Sequence, residues 1–363
     1  MFFQIYEISY TNHQNLVTLR RRNTMMKKEL NIKPNAQTPK YQQIVDEIIE
    51  RIQRGILKRG DQLPTINEIT GQLNVARMTV IRAYEELRER GIVAPQHGKG
   101  YFITSTDVQA TMHVFVLFDA MNSYKEILFQ ALKESLGDQV SIHLFFHYHD
   151  LTVFENVIVN NLGNYNFYII MPHFNEDITE IVTQIPKEKL LILDIDVEKL
   201  DDSYAVLYQD FEENFYQGLS HALPMIQKYE SLTLFLSKNQ FQYTPKGILR
   251  GFKRFCEDYN IKNEVVNNLE FDHLEEGHAY FLFLENDLVR FVNYANRKGL
   301  KLGKQIGLLS YDDTPIKEIL DDSGITTISN DFIQMGKLAG RLVHNRQKGK
   351  IASDCRLIIR GSL

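Results

Sequence analysis

The stretch TINEITGQLNVARMTVIRAYEEL, residues 65–87, has the pattern of two helices joined by a tight turn. Thr65, followed three residues later by Glu68, forms a capping box, which predicts the start of a short helix. The Asn-Val pair at 74–75 supplies the turn. A longer helix is expected from about Ala76 to Arg90, because apolar residues recur there at three- and four-residue spacing. These signals together predict a helix-turn-helix.

A further helix precedes this pair, and a hairpin follows it. Apolar residues from Tyr41 to Ile52 recur at i, i+3, i+4, i+7, i+8 and i+11, which is one face of a helix. After the third helix, Ile92–Pro95 and Tyr101–Ile103 have strand character, and Gln96–Gly100 connects them. Three helices with a β-hairpin make a winged helix-turn-helix, an α+β fold that we assign to residues 33–104.

The third helix is the element expected to enter the major groove of DNA. It begins with Arg77, and an arginine there can donate two hydrogen bonds to guanine. Arg82 and Lys99 are expected at phosphates, and His97 at the minor groove. The alternative is that these cations are solvated surface charges. The predicted DNA-binding residues are Thr65, Asn67, Arg77, Met78, Thr79, Arg82, His97, Gly98 and Lys99.

This segment resembles the GntR family of bacterial regulators. The matching residues are Tyr41, Gly55–Leu57, Gly60–Pro64, Val75–Val80, Ala83, Leu87, Gly91 and Gly98–Gly100. The resemblance implies binding to a double-stranded DNA operator. Two positions depart from the family pattern: Ala76 replaces a capping serine, at a cost of about 1 kcal/mol, and Asn67 replaces a DNA-contacting arginine found in many members. We therefore expect an operator that differs from the family norm.

From Met112 to Leu363, short apolar runs alternate with longer amphipathic segments. The runs are Val114–Phe118, Val140–Phe146, Phe167–Met171, Leu190–Asp194, Leu232–Leu236, Tyr280–Leu284 and Ile306–Ser310, and the helical segments are Tyr124–Leu136, Asp150–Asn161, Tyr243–Tyr259 and Asp287–Lys298. Such alternation predicts parallel sheets with crossover helices. Because these units would overfill one sheet, we predict two similar lobes with a strand switch near Leu207. Sheets of this kind bind ligands in a cleft at the carboxyl ends of their strands.

Polar and aromatic residues gather at those carboxyl ends. Carboxylates accept hydrogen bonds from vicinal hydroxyls, and aromatic rings cover the apolar face of a pyranose, so these residue types predict a sugar site. The alternative is that the aspartates cap helices and the aromatic residues fill the core. The effector-binding residues predicted at strand ends are Asp119, Asn122, Tyr124, His173, Phe174, Asp194, Gln209, Tyr311 and Asp312.

The C-terminal third resembles the LacI/GalR regulators and their periplasmic sugar-binding relatives. The matching segments are Gly299–Gly307, Ser310–Thr314, Ile325–Ile328, Met335–Ala339 and Ile359–Ser362. The resemblance implies a two-lobed periplasmic-binding-protein-like α/β fold of type I over residues 112–363, which is also the dimerisation domain, and it assigns Asp312 to effector hydroxyls. That family uses an arginine where this chain has Ile248. Lys246 and Arg250 flank the position, and either is a candidate replacement.

The net charge of −5 is unevenly distributed along the 363 residues. Residues 33–104 hold eleven Lys/Arg and eight Asp/Glu, whereas residues 105–363 hold twenty-five and thirty-six. Of these two segments, only the basic one, residues 33–104, is therefore expected to bind a polyanion. The longest uncharged stretch, Asn156–Asn175, carries six asparagines and Pro172, so we expect no membrane span.

Few residues point to a metal or to redox chemistry. His143, His147 and His149 share a parity, so on a strand all three would project from one face, as metal ligands do. No carboxylate ligand follows at a useful spacing, and exposed strand-end histidines are ordinary. Cys256 and Cys355 offer neither a disulfide framework nor a zinc spacing, which fits a reducing cytoplasm. We therefore expect no metal and no other cofactor.

Two segments have no predicted fold. Residues 1–32 show no helical or strand period and lack the pattern of a secretory signal, so we expect either a disordered extension or a translation start at Met25 or Met26. Residues 105–111 are a short polar run that we expect to link the two domains.

A DNA-binding domain joined to a ligand-binding domain predicts a transcriptional regulator, and the GntR family includes an arabinose-responsive repressor with this pair of domains. We expect a homodimer, because two winged domains match two half-sites, and a monosaccharide effector that releases DNA and so controls carbohydrate-utilisation genes. A nucleobase effector and an activator are the alternatives. An enzyme is disfavoured, because the chain after the linker is too short for an aminotransferase-like domain and contains no Gly-x-Ser-x-Gly motif.

Overall fold

The computed structural model describes residues 30, 32, 39–108, 112–236, 245–268, 271, 274–322 and 324–363. The extension predicted at residues 1–32, apart from Leu30 and Ile32, and the last three linker residues lie outside this range. Two compact units are present: one comprises residues up to His113 with Gly163–Asn166, and the other comprises Val114–Leu162 and Phe167–Leu363.

The first unit contains three helices and a two-stranded antiparallel hairpin. The helices are α1 (Lys40–Gln53), α2 (Ile66–Leu73) and α3 (Arg77–Glu89), and the hairpin strands are β1 (Val93–Gln96) and β2 (Gly100–Ile103). This confirms the predicted winged helix-turn-helix, and each helix begins within one residue of its prediction. The capping box is present, since the Thr65 side chain accepts from the Glu68 amide and Glu68 accepts from the Thr65 amide. Asn74 turns the chain in the left-handed region at φ 49°.

The apolar faces of the three helices form the core of this unit. The buried side chains include Ile44, Val45 and Ile48 from α1, Ile69 from α2, and Val80, Ala83, Tyr84 and Leu87 from α3. The Tyr84 hydroxyl donates to the Pro64 carbonyl at 2.6 Å, which satisfies a polar group inside the core. Burial and the nearby Glu68 raise the pKa of Tyr84. Helix α3 therefore has a fixed orientation, with its first turn pointing away from the core.

The second unit contains two six-stranded sheets in two lobes. The first lobe has the order β13-β7-β6-β5-β3-β4, with β3 (Met112–Phe118), β4 (Val140–Phe146), β5 (Phe167–Ile170), β6 (Leu190–Asp194), β7 (Ala205–Tyr208) and β13 (Gly349–Ala352). The second has the order β14-β12-β11-β10-β8-β9, with β8 (Ser231–Phe235), β9 (Asn263–Val266), β10 (His278–Leu282), β11 (Gly307–Tyr311), β12 (Thr326–Asn330) and β14 (Cys355–Ile358). Only β14 pairs antiparallel among the registers described for these sheets, which confirms the predicted parallel α/β lobes.

The helices of this unit lie between the strands along the chain. They are α4 (Ser123–Leu136), α5 (Leu151–Val159), α6 (Thr179–Val182), α7 (Phe211–Ile226), α8 (Lys246–Asp258), α9 (Glu285–Lys298), α10 (Pro315–Ile319) and α11 (Phe332–Asn345). Helix α8 begins three residues later than predicted, with Pro245 at its N-cap. None of the helices in the described ranges is both long and apolar enough to cross a membrane.

The chain passes between the lobes three times. It crosses after β7, where the predicted strand switch lies, again after β12, and a third time between β13 and β14. Helix α7 consequently packs on α8 and β14 of the second lobe, and α11 packs on α4 of the first. The carboxyl ends of the strands in both sheets lead into these crossings, so side chains at those ends face the space between the lobes.

The close packing of α4 on α11 predicts that Gly336 tolerates no side chain. A Cβ at this position would lie 2.4 Å from the Leu128 carbonyl oxygen and 2.8 Å from the Ala131 Cβ. We expect Gly336→Ala to lower the free energy of unfolding of this unit by about 1–3 kcal/mol, measured by urea denaturation. Gly71→Ala, on α2 of the first unit, is the control for a helical Gly→Ala exchange without a clash, because no atom outside the local helix backbone lies within 4 Å of a Cβ there. A Gly336→Ala protein as stable as the wild type would contradict this packing.

Candidate functional site

The first turn of α3 forms an exposed surface on the first unit. Arg77 and Met78 are exposed, with Met78 at 69% of its full accessibility, and Thr79 is half-buried. Asn67 on α2 is exposed as well, and Thr65 is exposed beside it while its hydroxyl serves as the helix cap. Ala76 is the N-cap of α3 and provides no side-chain hydrogen bond, as its sequence predicted. An arginine and a polar side chain are thus free to meet a ligand at the start of the helix.

The cations of this unit fall into two groups. Four arginines form ion pairs within their own helix: Arg51 with Glu47, Arg54 with Glu50, Arg88 with Glu85, and Arg90 with Glu86. Arg77, Arg82 and Lys99 have no carboxylate within ion-pair distance in the described part of the chain. Arg82 instead lies over the ring of Tyr41, with its guanidinium carbon 3.8 Å from the ring centroid. These three cations are among those that the sequence predicted at DNA; Lys40, Lys58 and Arg59 of the same unit also have no carboxylate at that distance in the described structure.

The hairpin places a third group of predicted residues at its tip. His97, Gly98 and Lys99 are all exposed, and Gly98 has φ 68°, in the left-handed region that favours glycine. The Gln62 side-chain amide donates to the Lys99 carbonyl oxygen and so holds the tip against the turn before α2. The tip therefore presents the Lys99 ammonium next to a glycine without a side chain, which allows a close approach to the sugar-phosphate backbone of DNA.

The space between the lobes of the second unit is a cavity of about 460 Å³. Its lining from the first lobe is mainly polar and includes Asp119, Asn122, Ser123, Tyr124, Lys125, His173, Asp194 and Gln209. Its lining from the second lobe combines aromatic or aliphatic side chains with acids and includes Phe235, Ile248, Phe283, Glu285, Asp287, Tyr311, Asp312, Thr314 and Lys317. A cavity with convergent polar groups and one apolar wall has the character of a small-molecule site.

A buried ionic network occupies the first-lobe wall. Asp119 accepts from Lys125 through one oxygen, and its other oxygen lies 3.3 Å from His173 Nδ1 and 3.3 Å from His149 Nε2. His173 Nε2 lies 2.7 Å from Asp194 Oδ2, so one imidazole bridges two carboxylates. Burial alone would raise the pKa of Asp119, but His173 and Lys125 hold it well below its usual range. Burial lowers and Asp119 raises the pKa of His173, with a net rise that favours the imidazolium.

Asp312 on the second-lobe wall has a different environment. It follows β11 at φ 63°, and its Oδ1 atom is buried without a hydrogen-bond partner in the described structure. Burial raises the pKa of Asp312 to about 7, although the nearby Lys317 lowers it. The Lys317 ammonium donates to the carbonyl oxygens of Tyr311 and Asp312 at 2.5 and 2.6 Å, and burial lowers its pKa to about 8. Asp312 is therefore an acceptor that lacks a donor inside the cavity.

A chain of buried amides links the cavity to the crossings between the lobes. The Gln209 amide donates to Asp194 Oδ1 at 2.7 Å, and the Asn330 amide donates to Gln209 Oε1. The side-chain oxygen Oδ1 of Asn330 in turn accepts from the Ser353 hydroxyl at 2.7 Å. Gln209, Asn330 and Ser353 lie at the three crossings, so the cavity wall and the crossings share one hydrogen-bonded network.

A protein-family model described as bacterial regulatory proteins of the gntR family matches residues 40–103. Residues 40–103 form a GntR-family helix-turn-helix domain. The chain is 36% identical over 75 residues to the HTH-type transcriptional repressor YtrA of Bacillus subtilis, covering 21% of this chain and 58% of YtrA. It is 35% identical over 89 residues to the mannosyl-D-glycerate transport/metabolism system repressor MngR of Escherichia coli, covering 24% of this chain and 37% of MngR. The matches thus span less than two thirds of these relatives.

The solved structures similar to this chain share the two-lobed unit. A LacI family transcriptional regulator from Lactobacillus casei with bound glucose has a TM-score of 0.56 at 13% identity and covers 69% of this chain and 100% of its own. A dimeric Lac repressor with a C-terminal deletion has a TM-score of 0.58 at 16% identity, covering 69% and 98%. At these identities the likeness shows the fold alone, and it confirms the predicted periplasmic-binding-protein-like architecture.

Most of the predicted effector residues meet at the cavity. Those that line it are Asp119, Asn122, Tyr124, His173, Asp194, Gln209, Tyr311 and Asp312. Phe174 does not line it, because its ring stacks on His147 at 4.6 Å and meets Phe154 at 5.0 Å in the core. The role of each lining residue stays a prediction.

The prediction that Lys246 or Arg250 reaches the effector is corrected. Neither side chain lines the cavity: Lys246 is exposed, and Arg250 forms a surface ion pair with Glu212 at 2.5 Å. Residues 246 and 250 are four apart on α8 and share its outer face, whereas Ile248 lies on the inner face and lines the cavity. An apolar side chain therefore stands at this part of the wall.

His143, His147 and His149 do not project from one face, as they would if all three lay on a single strand. Strand β4 ends at Phe146, and Tyr148 and His149 have φ of 49° and 59°, so the alternation stops before His149. His147 is buried, and burial lowers its pKa to about 4. Within the described ranges, no group of three or more His, Cys, Asp or Glu side chains is arranged to hold a metal.

Sequence reasoning missed three polar residues of the network: Lys125, Lys317 and Asn330. Lys125 and Lys317 lie in or beside first helical turns, where a lysine is usually solvated, and Asn330 is the last residue of a strand. One signal was available for Asn330, because it precedes the helix-capping Asp331 just as Gln209 precedes the helix-capping Asp210.

The raised pKa of Asp312 predicts a pH-dependent stability. The Asp312 carboxyl releases its proton near pH 4 in the unfolded chain and near pH 7 in the folded chain. The stability that the protonated carboxyl contributes to the folded chain is therefore fully present below about pH 4 and is lost as the pH rises to about 7. We expect Asp312→Asn to gain stability relative to the wild type across this range, measured by urea denaturation.

Asp313→Asn is the matched control for this measurement. Burial raises the pKa of Asp313, but Arg360, which donates to it at 2.6 and 2.9 Å, lowers it overall. Its contribution is therefore constant above about pH 4 and is lost only at lower pH. A stability difference between Asp312→Asn and wild type that does not change between pH 4 and pH 7 would contradict the uncompensated burial of Asp312.

Proposed function

We propose that this protein is a transcriptional regulator that binds operator DNA through its GntR-family domain and responds to a saccharide in the interlobe cavity. The observation that carries the proposal is the combination in one chain of two surfaces. One presents unpaired cations on a recognition helix and a wing, and the other is an interlobe cavity with a buried acceptor that lacks a donor in the described structure. A DNA-binding domain joined to a ligand-binding domain is the domain combination expected of a ligand-controlled regulator.

The recognition helix supplies the contact with bases. Arg77 stands at the first position of α3, unpaired and exposed, and a guanidinium there donates bidentately to guanine O6 and N7. Lys99 and Arg82 add contacts to phosphates, which bind any sequence and position the helix. A homodimer would place two such helices at two operator half-sites, so we propose a dimer as the active form.

The charges of the cavity favour an effector without phosphate or carboxylate. Five acids line it, namely Asp119, Asp194, Glu285, Asp287 and Asp312, against two lysines and His173. Both lysines are already engaged, Lys125 by Asp119 and Lys317 by two carbonyl oxygens. An anionic ligand would therefore meet unbalanced carboxylates, whereas sugar hydroxyls would donate to them.

The second-lobe wall supplies the apolar face that a saccharide needs. Phe283 and Tyr311 line the cavity with ring centroids 6.2 Å apart, and Ile248 adds aliphatic surface. Apolar C–H groups of a sugar ring would pack here while its hydroxyls meet the first lobe. We therefore propose an uncharged sugar as the effector and carbohydrate-utilisation genes as those that the regulator controls.

Effector binding acts on DNA through the angle between the lobes. A ligand that bridges Asp194 and Asp312 contacts both lobes, and Gln209 and Asn330 connect that site to the crossings. A differential affinity of about 1–3 kcal/mol for two lobe arrangements changes operator affinity about 5- to 150-fold. We propose repression relieved by the effector; YtrA and MngR are both named repressors.

Arg77→Ala tests the base contact. We expect the loss of about 1–3 kcal/mol of discrimination between the selected operator and a scrambled duplex, measured by fluorescence anisotropy, because the bidentate contact to guanine is absent. Arg88→Ala is the control from the same helix, since Arg88 is paired with Glu85. Unchanged discrimination by Arg77→Ala would remove this residue from the recognition surface.

A thermal-shift panel tests the sensor. We expect the midpoint of the full chain to rise with at least one neutral monosaccharide, to rise less with its phosphate ester, and to stay unchanged with purines. Asp312→Ala should bind DNA as the wild type does and lose the shift, because an acceptor for a hydroxyl is gone. A shift with purines and with no saccharide would replace the sugar by a nucleobase effector.

A further inference from the structure

Arg82 is held differently from the other arginines of its helix. It lies in the middle of α3, where the acids three and four residues further on are already paired, Glu85 with Arg88 and Glu86 with Arg90. The Arg82 side chain is exposed, and its guanidinium carbon lies 3.8 Å from the centre of the Tyr41 ring. The cation thus rests on an aromatic face from another helix instead of on a carboxylate.

We propose that Tyr41 is a positioning residue that holds the Arg82 guanidinium ready for a phosphate of the DNA backbone. The inference rests on the proposed function, because it concerns how the GntR-family domain meets DNA. Tyr41 acts through Arg82 and touches no base. Arg82 supplies the charge, and Tyr41 supplies its orientation.

The ring is a suitable platform because it is itself fixed. Tyr41 lies in the first turn of α1, is half-buried, and packs against the apolar core that α1 and α3 share. A guanidinium over the face of such a ring keeps the N–H groups at its edge free to donate, and these match a phosphate bidentately. A free arginine would lose side-chain conformational entropy on binding, and one already held by the ring loses less.

The occupied acids strengthen this assignment. Glu86 is four residues from Arg82, the spacing at which an intrahelical ion pair forms, and such a pair would turn Arg82 along the helix. Arg90 engages Glu86 and Arg88 engages Glu85, which leaves the ring as the partner of Arg82 in the described structure. The arrangement keeps one charge available on the same helix as Arg77.

The test does not need the natural operator, because phosphate contacts form with any sequence. The full chain is titrated against a random-sequence 30-base-pair duplex by fluorescence anisotropy over a range of salt concentrations. Arg82→Ala is expected to reduce the slope of log affinity against log salt by about one. Tyr41→Leu is expected to weaken binding about two- to fivefold while Arg82 is present, and to add nothing in the Arg82→Ala background.

Two further variants separate the roles of ring, hydroxyl and fold. Tyr41→Phe keeps the ring and should bind as the wild type does; a loss equal to that of Tyr41→Leu would mean that the hydroxyl meets DNA directly and would overturn the proposal. Arg88→Ala, from the same helix but paired with Glu85, should leave the affinity unchanged. Circular dichroism and melting midpoints accompany each variant.

The proposal fails if Tyr41→Leu weakens binding equally with and without Arg82, or not at all. Should Tyr41→Leu not fold, Arg82→Lys provides the second measure, because it keeps the charge and loses the planar group that stacks on the ring. Weaker binding by Arg82→Lys supports the proposal, and unchanged binding overturns it. If the wild-type chain binds neither this duplex nor an operator selected from random sequence, the proposed DNA-binding function itself is wrong, and this outcome is distinct from a failure of the Tyr41 proposal alone.

Discussion

The second unit is organised around carboxylates that are buried at the carboxyl ends of two parallel sheets. An ionised carboxylate in a protein interior is costly unless a cation and hydrogen bonds compensate it. In the first lobe, Lys125 and the bridging His173 compensate Asp119 and Asp194. In the second lobe, Asp312 keeps one oxygen without a donor. The carboxylates of one cavity wall are therefore compensated within the protein, whereas the other wall carries a carboxylate oxygen with no donor in the described structure.

The same network reaches the crossings where the chain passes between the lobes. Gln209 joins Asp194 to Asn330, and Asn330 joins Gln209 to Ser353. These bonds connect the cavity wall to all three crossings, and this connection is the structural basis of the proposed coupling between effector and lobe angle. In the first unit an apolar core holds α3, and four arginines form ion pairs within the helices or at their ends, whereas Arg77, Arg82 and Lys99 do not in the described structure.

Local signals account for the accuracy of the fold prediction. The capping box at Thr65, the turn at Asn74 and the one-sided apolar spacing of α1 lie within a few residues of the structures they specify. The short strands β7, β9, β12, β13 and β14, of four or five residues each, were not predicted, because such short runs contain too little periodicity to distinguish them from a turn. Strand β4 was predicted, but Tyr148 and His149 after it have positive φ angles. The strand alternation therefore does not continue to His149, and the three histidines do not share one face.

The sequence by itself determined the winged helix-turn-helix, its recognition helix and the alternating α/β pattern, because each depends on neighbours along the chain. Only the tertiary structure decided which polar residues share the cavity, that Lys246 and Arg250 face outward, and that Tyr41 supports Arg82. Lys125 and Asp194 lie far apart in sequence but meet because β3 and β6 belong to one sheet, and the crossings between the lobes bring Lys317 to the same cavity. Their pairing depends on distances in space, which the periodicity of a single chain does not encode.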